Sequence, residues 1–141
     1  MILVSTHGRY ALRVMLDLAE QNSEKFIPLE EIATRQGISR KYLEAVLNIL
    51  VQNKLLEGKR GKGGGYKLTR QPSKYTVGEI LELTETALSV VDCLKGENTC
   101  ARKAQCLTLP MWQKFNQLTH DFFYGITLQD ILDEKIKTKD F

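Results

Sequence analysis

Apolar residues recur along this chain at helical spacing in several stretches and at strand spacing in one. Tyr10, Ala11, Val14, Met15, Leu18 and Ala19 stand in pairs four apart. Residues three and four apart share a helix face, so this spacing predicts a helix with one apolar stripe. The polar run Gln21 to Lys25 interrupts it. Pro28 then opens a short amphipathic segment with Leu29, Ile32 and Ala33. Glu30 and Glu31 fall in its first turn, where carboxylates meet the positive end of the peptide dipoles. Gly37 ends that segment, and Ser39 is placed to cap a third helix with an inner stripe of Leu43, Val46, Leu47 and Leu50, running to Gln52 and Asn53.

The period then changes. Leu55 to Arg60, the glycine run from Gly61 to Gly65 and the alternating Tyr66-Lys67-Leu68-Thr69 predict a β-hairpin. Thr76 and Glu79 have capping-box spacing, which predicts a fourth helix through Ile80, Leu81 and Leu83 to about Thr84. From Thr86 to Thr108 no period is sustained, and all three cysteines lie there, so loop and short turns are expected. Beyond Pro110, Met111, Phe115, Leu118 and Phe122 fall at steps of 4, 3 and 4 with Trp112 beside them, a seam that requires a partner helix. Gly125 should stop this helix, and Thr127 with Asp130 should cap a last short one containing Ile131 and Leu132. The fold class expected is mainly α with a small β-hairpin.

With 141 residues, 43% of them hydrophobic, the chain can bury one core and carry a helical appendage. No apolar run nears the roughly 20 residues of a membrane span, and Met1 to Val4 is too short for a signal peptide. A cytoplasmic protein away from membranes is therefore expected. An odd number of cysteines argues against a disulfide framework and for free thiols or a metal site. The net charge of +3 hides an asymmetry, because residues 1–75 hold 13 Lys and Arg against 7 Asp and Glu while residues 76–141 hold 7 against 10. The first half is suited to an anionic partner.

Helix, short helix, glycine turn, helix and basic glycine hairpin is the element order of a winged helix-turn-helix, in which the start of the second helix of the pair enters the major groove. Ser39, Arg40, Lys41 and Tyr42 occupy that start. Glu44 would repel phosphates yet can accept from cytosine amino groups, so it suits discrimination between sites. In the hairpin, Lys59, Arg60 and Lys62 surround Gly63, Gly64 and Gly65, whose lack of side chains permits close approach to a groove wall. Arg60 is the candidate for a narrow minor groove. A P-loop is excluded because Gly63 follows Gly61-Lys62 where Ser or Thr is needed, and a dinucleotide fingerprint because Tyr66 takes the place of its third glycine. No nucleophile, base and orienting group form a pattern, so an enzyme is not expected.

Ser5 to Arg13, Gln36 to Ser39 with Tyr42-Leu43-Glu44, Arg60 to Tyr66, Val77 to Ile80 and Ile126 to Leu128 together resemble the Rrf-two family of bacterial winged-helix regulators, essentially end to end. The resemblance implies a homodimer joined through a long helix at about Leu109 to Tyr124, bound to a double-stranded DNA operator with two related half-sites. It implies DNA contact at Ser39, Tyr42 and Arg60, with Glu44 tuning site choice as in IscR-like members. The organisation expected is a DNA-binding domain over 1–84, a cysteine sensor loop over 85–108, and a dimerisation helix with a terminal helix over 109–141.

Cys93, Cys100 and Cys106 are separated by six and five residues, which lets a loop wrap a bulky group but does not match the tight knuckles of structural zinc. Three soft thiolates suit an iron-sulfur cluster, with Lys95, Arg102 and Lys103 offsetting its charge; on spacing alone, three ordinary buried or redox-active thiols are the favoured reading. The resemblance implies the cluster, with the 2Fe-2S type favoured, because cluster-binding members place three cysteines in this loop. The histidine ligand of IscR-like members is Leu109 here, which leaves His7, Asp92, Glu97 or an exogenous group as the fourth ligand, while His120 reads as a surface or interface residue. The function expected is a DNA-binding repressor modulated by that cluster or by thiol redox state. The alternatives are a cluster-free regulator answering to a protein effector or thiol oxidation, and a zinc-stabilised adaptor that binds protein.

Overall fold

The computed structural model describes residues 4–85, 88–89, 91–94 and 100–136. Helix α1 spans Thr6–Gln21 and begins before the apolar stripe does, because the Ser5 hydroxyl accepts from the Gly8 N–H and sets the start. Ala11, Val14, Met15 and Leu18 are buried, so the stripe faces the core. Helix α2 spans Leu29–Gln36, with Pro28 just outside it in extended conformation. After Gly37, Ser39 caps α3, Arg40–Gln52, whose Leu43, Val46, Leu47 and Leu50 are all buried.

Strands β1, Leu56–Lys59, and β2, Gly65–Leu68, pair antiparallel with Leu56 opposite Leu68 and Lys59 opposite Gly65. Helix α4 spans Val77–Thr84, α5 Leu109–Tyr124 and α6 Leu128–Leu132. Short 3-10 turns at Asp92–Leu94 and Lys103–Gln105 lie in the cysteine segment. Gly125 ends α5 with φ −83°, so its stop uses no left-handed residue. A mainly helical chain with a two-stranded hairpin is thus the architecture.

One core gathers α1, α2, α3, Ile80 of α4 and, from the far end of the chain, Leu128 of α6. Backbone bonds hold α6 there: Val77 N–H donates to the Ile126 carbonyl at 2.9 Å, and Leu128 N–H to the Tyr75 carbonyl at 3.1 Å. Thr127 and Asp130 form a full capping box. At Thr76 only half of one forms. The Thr76 hydroxyl accepts from the Glu79 N–H, but the Glu79 carboxylate turns away to a two-pronged pair with Arg70 at 2.7 and 3.0 Å.

Two polar groups lock the frame. Asp17, only 2% exposed, accepts from Arg35 at 2.8 and 3.0 Å and from Gln36 at 2.8 Å, which fixes α2 against α1. The buried Tyr75 hydroxyl donates to the Leu55 carbonyl at 2.8 Å and accepts from the Thr69 and Arg70 N–H groups at 2.9 and 3.0 Å, which ties the base of the hairpin to the body. By contrast, Met111, Phe115, Leu118 and Phe122 on α5 are 54%, 39%, 55% and 49% exposed, so the seam that demands a partner has none among the described residues.

Candidate nucleic-acid interface

At the tip of α3 the Ser39 hydroxyl oxygen accepts from the Tyr42 N–H at 3.4 Å, so it shapes the helix end and keeps its own proton to donate. Arg40 is exposed and bridges two carboxylates: its guanidinium pairs with Glu30 and, at 3.3 Å, with Glu44. Arg40 and Glu44 therefore offset each other in the free protein, and exposed pairs of this kind are weak enough for a phosphate or a base to displace. Lys41 is exposed. Tyr42 is half-buried, with its ring stacked on His7 at 4.7 Å and met edge-on by Tyr10 at 5.2 Å.

The hairpin turn carries Arg60 and Lys62 on its exposed tip. Lys59 and Lys67 lie over the Phe26 ring at 5.7 and 4.8 Å, a cation–π contact that holds the basic edge of the wing against the α1–α2 connection. The glycines divide in two. Gly63 has φ +73° and open space around it. Gly64 and Gly65 press on the protein's own backbone instead. A Cβ on Gly64 would lie 2.3 Å from the Lys59 carbonyl oxygen, and one on Gly65 would lie 2.2 Å from that of Ile27. Gly65 is buried because its neighbour Tyr66 exchanges hydrogen bonds with Ile27 at 2.8 and 2.9 Å. Of the three consecutive glycines, Gly63 alone is positioned for approach to a partner.

A groove runs between α3 and the hairpin, lined by Asn48, Val51, Gly58, Lys59, Arg60 and Tyr66. It joins the two elements expected to read DNA. Asn48 is an exposed amide that sequence reasoning did not single out, although Lys41, Glu44 and Asn48 share one outer helix face.

Cys93 is half-buried in a 3-10 turn, Cys100 is exposed, and Cys106 is half-buried just before α5. The Cys106 sulfur lies 3.3 Å from the Thr108 hydroxyl. That hydrogen bond, helped by the Thr108 and Leu109 N–H groups, holds the thiol below its ordinary range against the opposing effect of burial. Three thiolates are a suitable soft donor set for an iron-sulfur cluster. As arranged they do not fit one, since among the described residues no three His, Cys, Asp or Glu side chains gather where a metal ion could sit. Of the fourth-ligand candidates, His7 is engaged with Tyr42, Asp92 is exposed, and Glu97 lies outside the described residues. His120 stacks on Tyr124 at 4.4 Å. No helix among the described residues is long and apolar enough to cross a membrane.

The family model described as an iron-dependent transcriptional regulator, Rrf2, matches residues 4–134. The HTH-type transcriptional regulator IscR of Pectobacterium atrosepticum is 34% identical over 132 residues, which cover 94% of this chain and 80% of that protein. Among solved structures, T. potens IscR is similar at 32% identity with a TM-score of 0.73, covering 94% of this chain and 88% of its own. CymR of B. subtilis, titled the global cysteine regulator, is similar at 30% identity with a TM-score of 0.76, covering 95% and 98%.

Proposed function

The chain belongs to the Rrf2 family of transcriptional regulators, and from that membership we propose that it works in the cytoplasm as a homodimeric repressor on a double-stranded DNA operator. The observation that carries this reading is the groove shared by α3 and the basic wing, with the helix tip and Arg60 both exposed. Ser39, Arg40, Lys41 and Tyr42 enter the major groove, and Arg60 and Lys62 follow the backbone towards the adjacent minor groove. Operator phosphates draw Arg40 away from Glu30 and Glu44, which frees Glu44 to accept from a cytosine amino group. The exposed α5 seam joins two copies, so two reading heads meet two half-sites.

Titration of the protein onto operator and scrambled duplexes over a salt series tests this. Each phosphate contact contributes about 0.9 to the slope of log affinity against log salt, so Arg60→Ala should flatten the slope by about that amount. Equal binding to both duplexes, or an unchanged slope, would overturn the reading.

Cys93, Cys100 and Cys106 form the control element in this proposal. Their soft donor set and the IscR relatives support an iron-sulfur cluster, which these three cysteines would hold as thiolates. The second reading is thiol oxidation or a protein effector without a cluster, favoured by the dispersed sulfurs and the lowered Cys106 thiol. Anaerobic reconstitution with iron and sulfide separates the two: a coloured protein carrying both elements supports the first, and a colourless one the second.

A further inference from the structure

His7 stands outside the basic surfaces, yet it is in contact with the reading helix. Its ring stacks on Tyr42 with centroids 4.7 Å apart and planes 27° from parallel, and its Nδ1 lies 3.4 Å from the Tyr42 hydroxyl. Tyr10 closes the other side, edge-on to Tyr42 at 5.2 Å. Tyr42 is thus held in a two-sided aromatic clamp provided by the first turns of α1, 32 and 35 positions away in sequence. With the His7 proton on Nε2, Nδ1 accepts the Tyr42 O–H, and the lone pairs of the hydroxyl oxygen are left to accept in turn. A hydroxyl held as an acceptor suits an exocyclic amino group, the N6 of adenine or the N4 of cytosine.

The turn that carries His7 is itself anchored from a distance. Ser5 N–H and Ser5 O–H both donate to one carboxylate oxygen of Glu85, at 2.8 and 2.7 Å, and the Ser5 hydroxyl accepts from Gly8 N–H at 3.2 Å. The fit is close, because a Cβ on Gly8 would lie 2.4 Å from that same carboxylate oxygen. Glu85 directly follows α4 and opens the stretch that leads to Cys93. The chain of contacts therefore runs from the entrance of the cysteine segment, through the cap of α1, to a side chain on the tip of α3.

We propose that His7 is a positioning residue for DNA recognition, presenting the Tyr42 hydroxyl as an acceptor for an amino-bearing base, and that Glu85 holds His7 in place through Ser5. This rests on the reading of Tyr42 as a DNA contact. Phosphate contacts do not pass through this clamp, so its loss lowers discrimination between sequences and leaves general affinity alone.

The test is a double-mutant cycle on the whole chain, with affinities measured for an operator duplex and for a scrambled duplex of equal length. His7→Phe keeps a ring in the stack and removes the acceptor, and Tyr42→Phe removes the hydroxyl. Each should weaken operator binding about three- to tenfold, the cost of one lost hydrogen bond, with scrambled binding unchanged. Combined, they should cost no more than either alone. Glu85→Ala should reproduce the loss, whereas Glu85→Gln, whose amide oxygen still accepts from Ser5, should restore it. An unchanged operator-to-scrambled ratio in His7→Phe, losses that multiply in the double variant, or equal weakening on both duplexes with a lowered melting temperature would each overturn the proposal while leaving the DNA reading in place. Failure of the unmutated protein to distinguish the duplexes would remove the DNA reading and this proposal together.

Discussion

The Tyr75 side chain is fully buried, and its hydroxyl serves three backbone groups at once. Tyr75→Phe keeps the ring but leaves two N–H donors and shortens the supply of donors to the Leu55 carbonyl. Buried groups left without partners cost about 1–3 kcal/mol. The expected result is a lower urea midpoint with an unchanged denaturant slope. In the cysteine segment, Cys106 owes its lowered thiol pKa first to Thr108. A lowered pKa means that thiolate persists at pH values where a free cysteine is protonated. Iodoacetamide should therefore modify Cys106 faster than a cysteine peptide near neutral pH. Thr108→Val should move its rate profile to higher pH, and an unmoved profile would show that the hydroxyl does not set the thiol's acidity.

The wing behaves as an element because its root is built into the body. Gly65 lies with φ +142° against the Ile27 carbonyl, and the Ile27–Tyr66 bridge adds a third backbone partner to a two-stranded hairpin. An isolated hairpin is marginal in water, so this bridge decides whether the basic tip is held or splayed. Gly65→Ala cannot be accommodated by moving a flexible side chain, since the obstacle is main chain. Thermal unfolding should show a fall in melting temperature, and operator affinity should drop with it although no cation has been removed. Gly63→Ala, placed in open space but at positive φ, should cost only the conformational strain of about 1 kcal/mol.

At the scale of the whole molecule, four of the six large apolar side chains left exposed among the described residues lie on the seam of α5. Leu118, 55% exposed, lies at its centre with Phe115 and Phe122 one turn to either side. Leu118→Asp places a charge on the face proposed to join two copies. Sedimentation should then report a monomer. Operator affinity should fall by about a hundredfold or more, because tethered heads gain 10²–10⁴ from effective concentration alone. A dimer that survives the change would place the interface elsewhere.

The local pattern of the chain determined which stretches form the helices and the hairpin, because each depends on residues within a few positions of one another. The stripe of α1, the Ser39 cap, the turn at Gly37 and the seam of α5 with its stop at Gly125 were all legible in this way. Composition and element order sufficed for the fold class, and short stretches such as Ser5 to Arg13 and Arg60 to Tyr66 for the family. What depends on partners far apart in sequence was decided only by the tertiary structure. Glu79 leaves its expected box for Arg70, Leu128 closes the core from the opposite end, and Gly65 yields to Ile27 rather than to a partner. His7 finds Tyr42 across 35 positions, and the three cysteines, close in sequence, do not meet in space. Periodicity and capping are encoded in neighbours, whereas these contacts arise where surfaces of separate elements come together, and no short-range pattern records which surface will meet which.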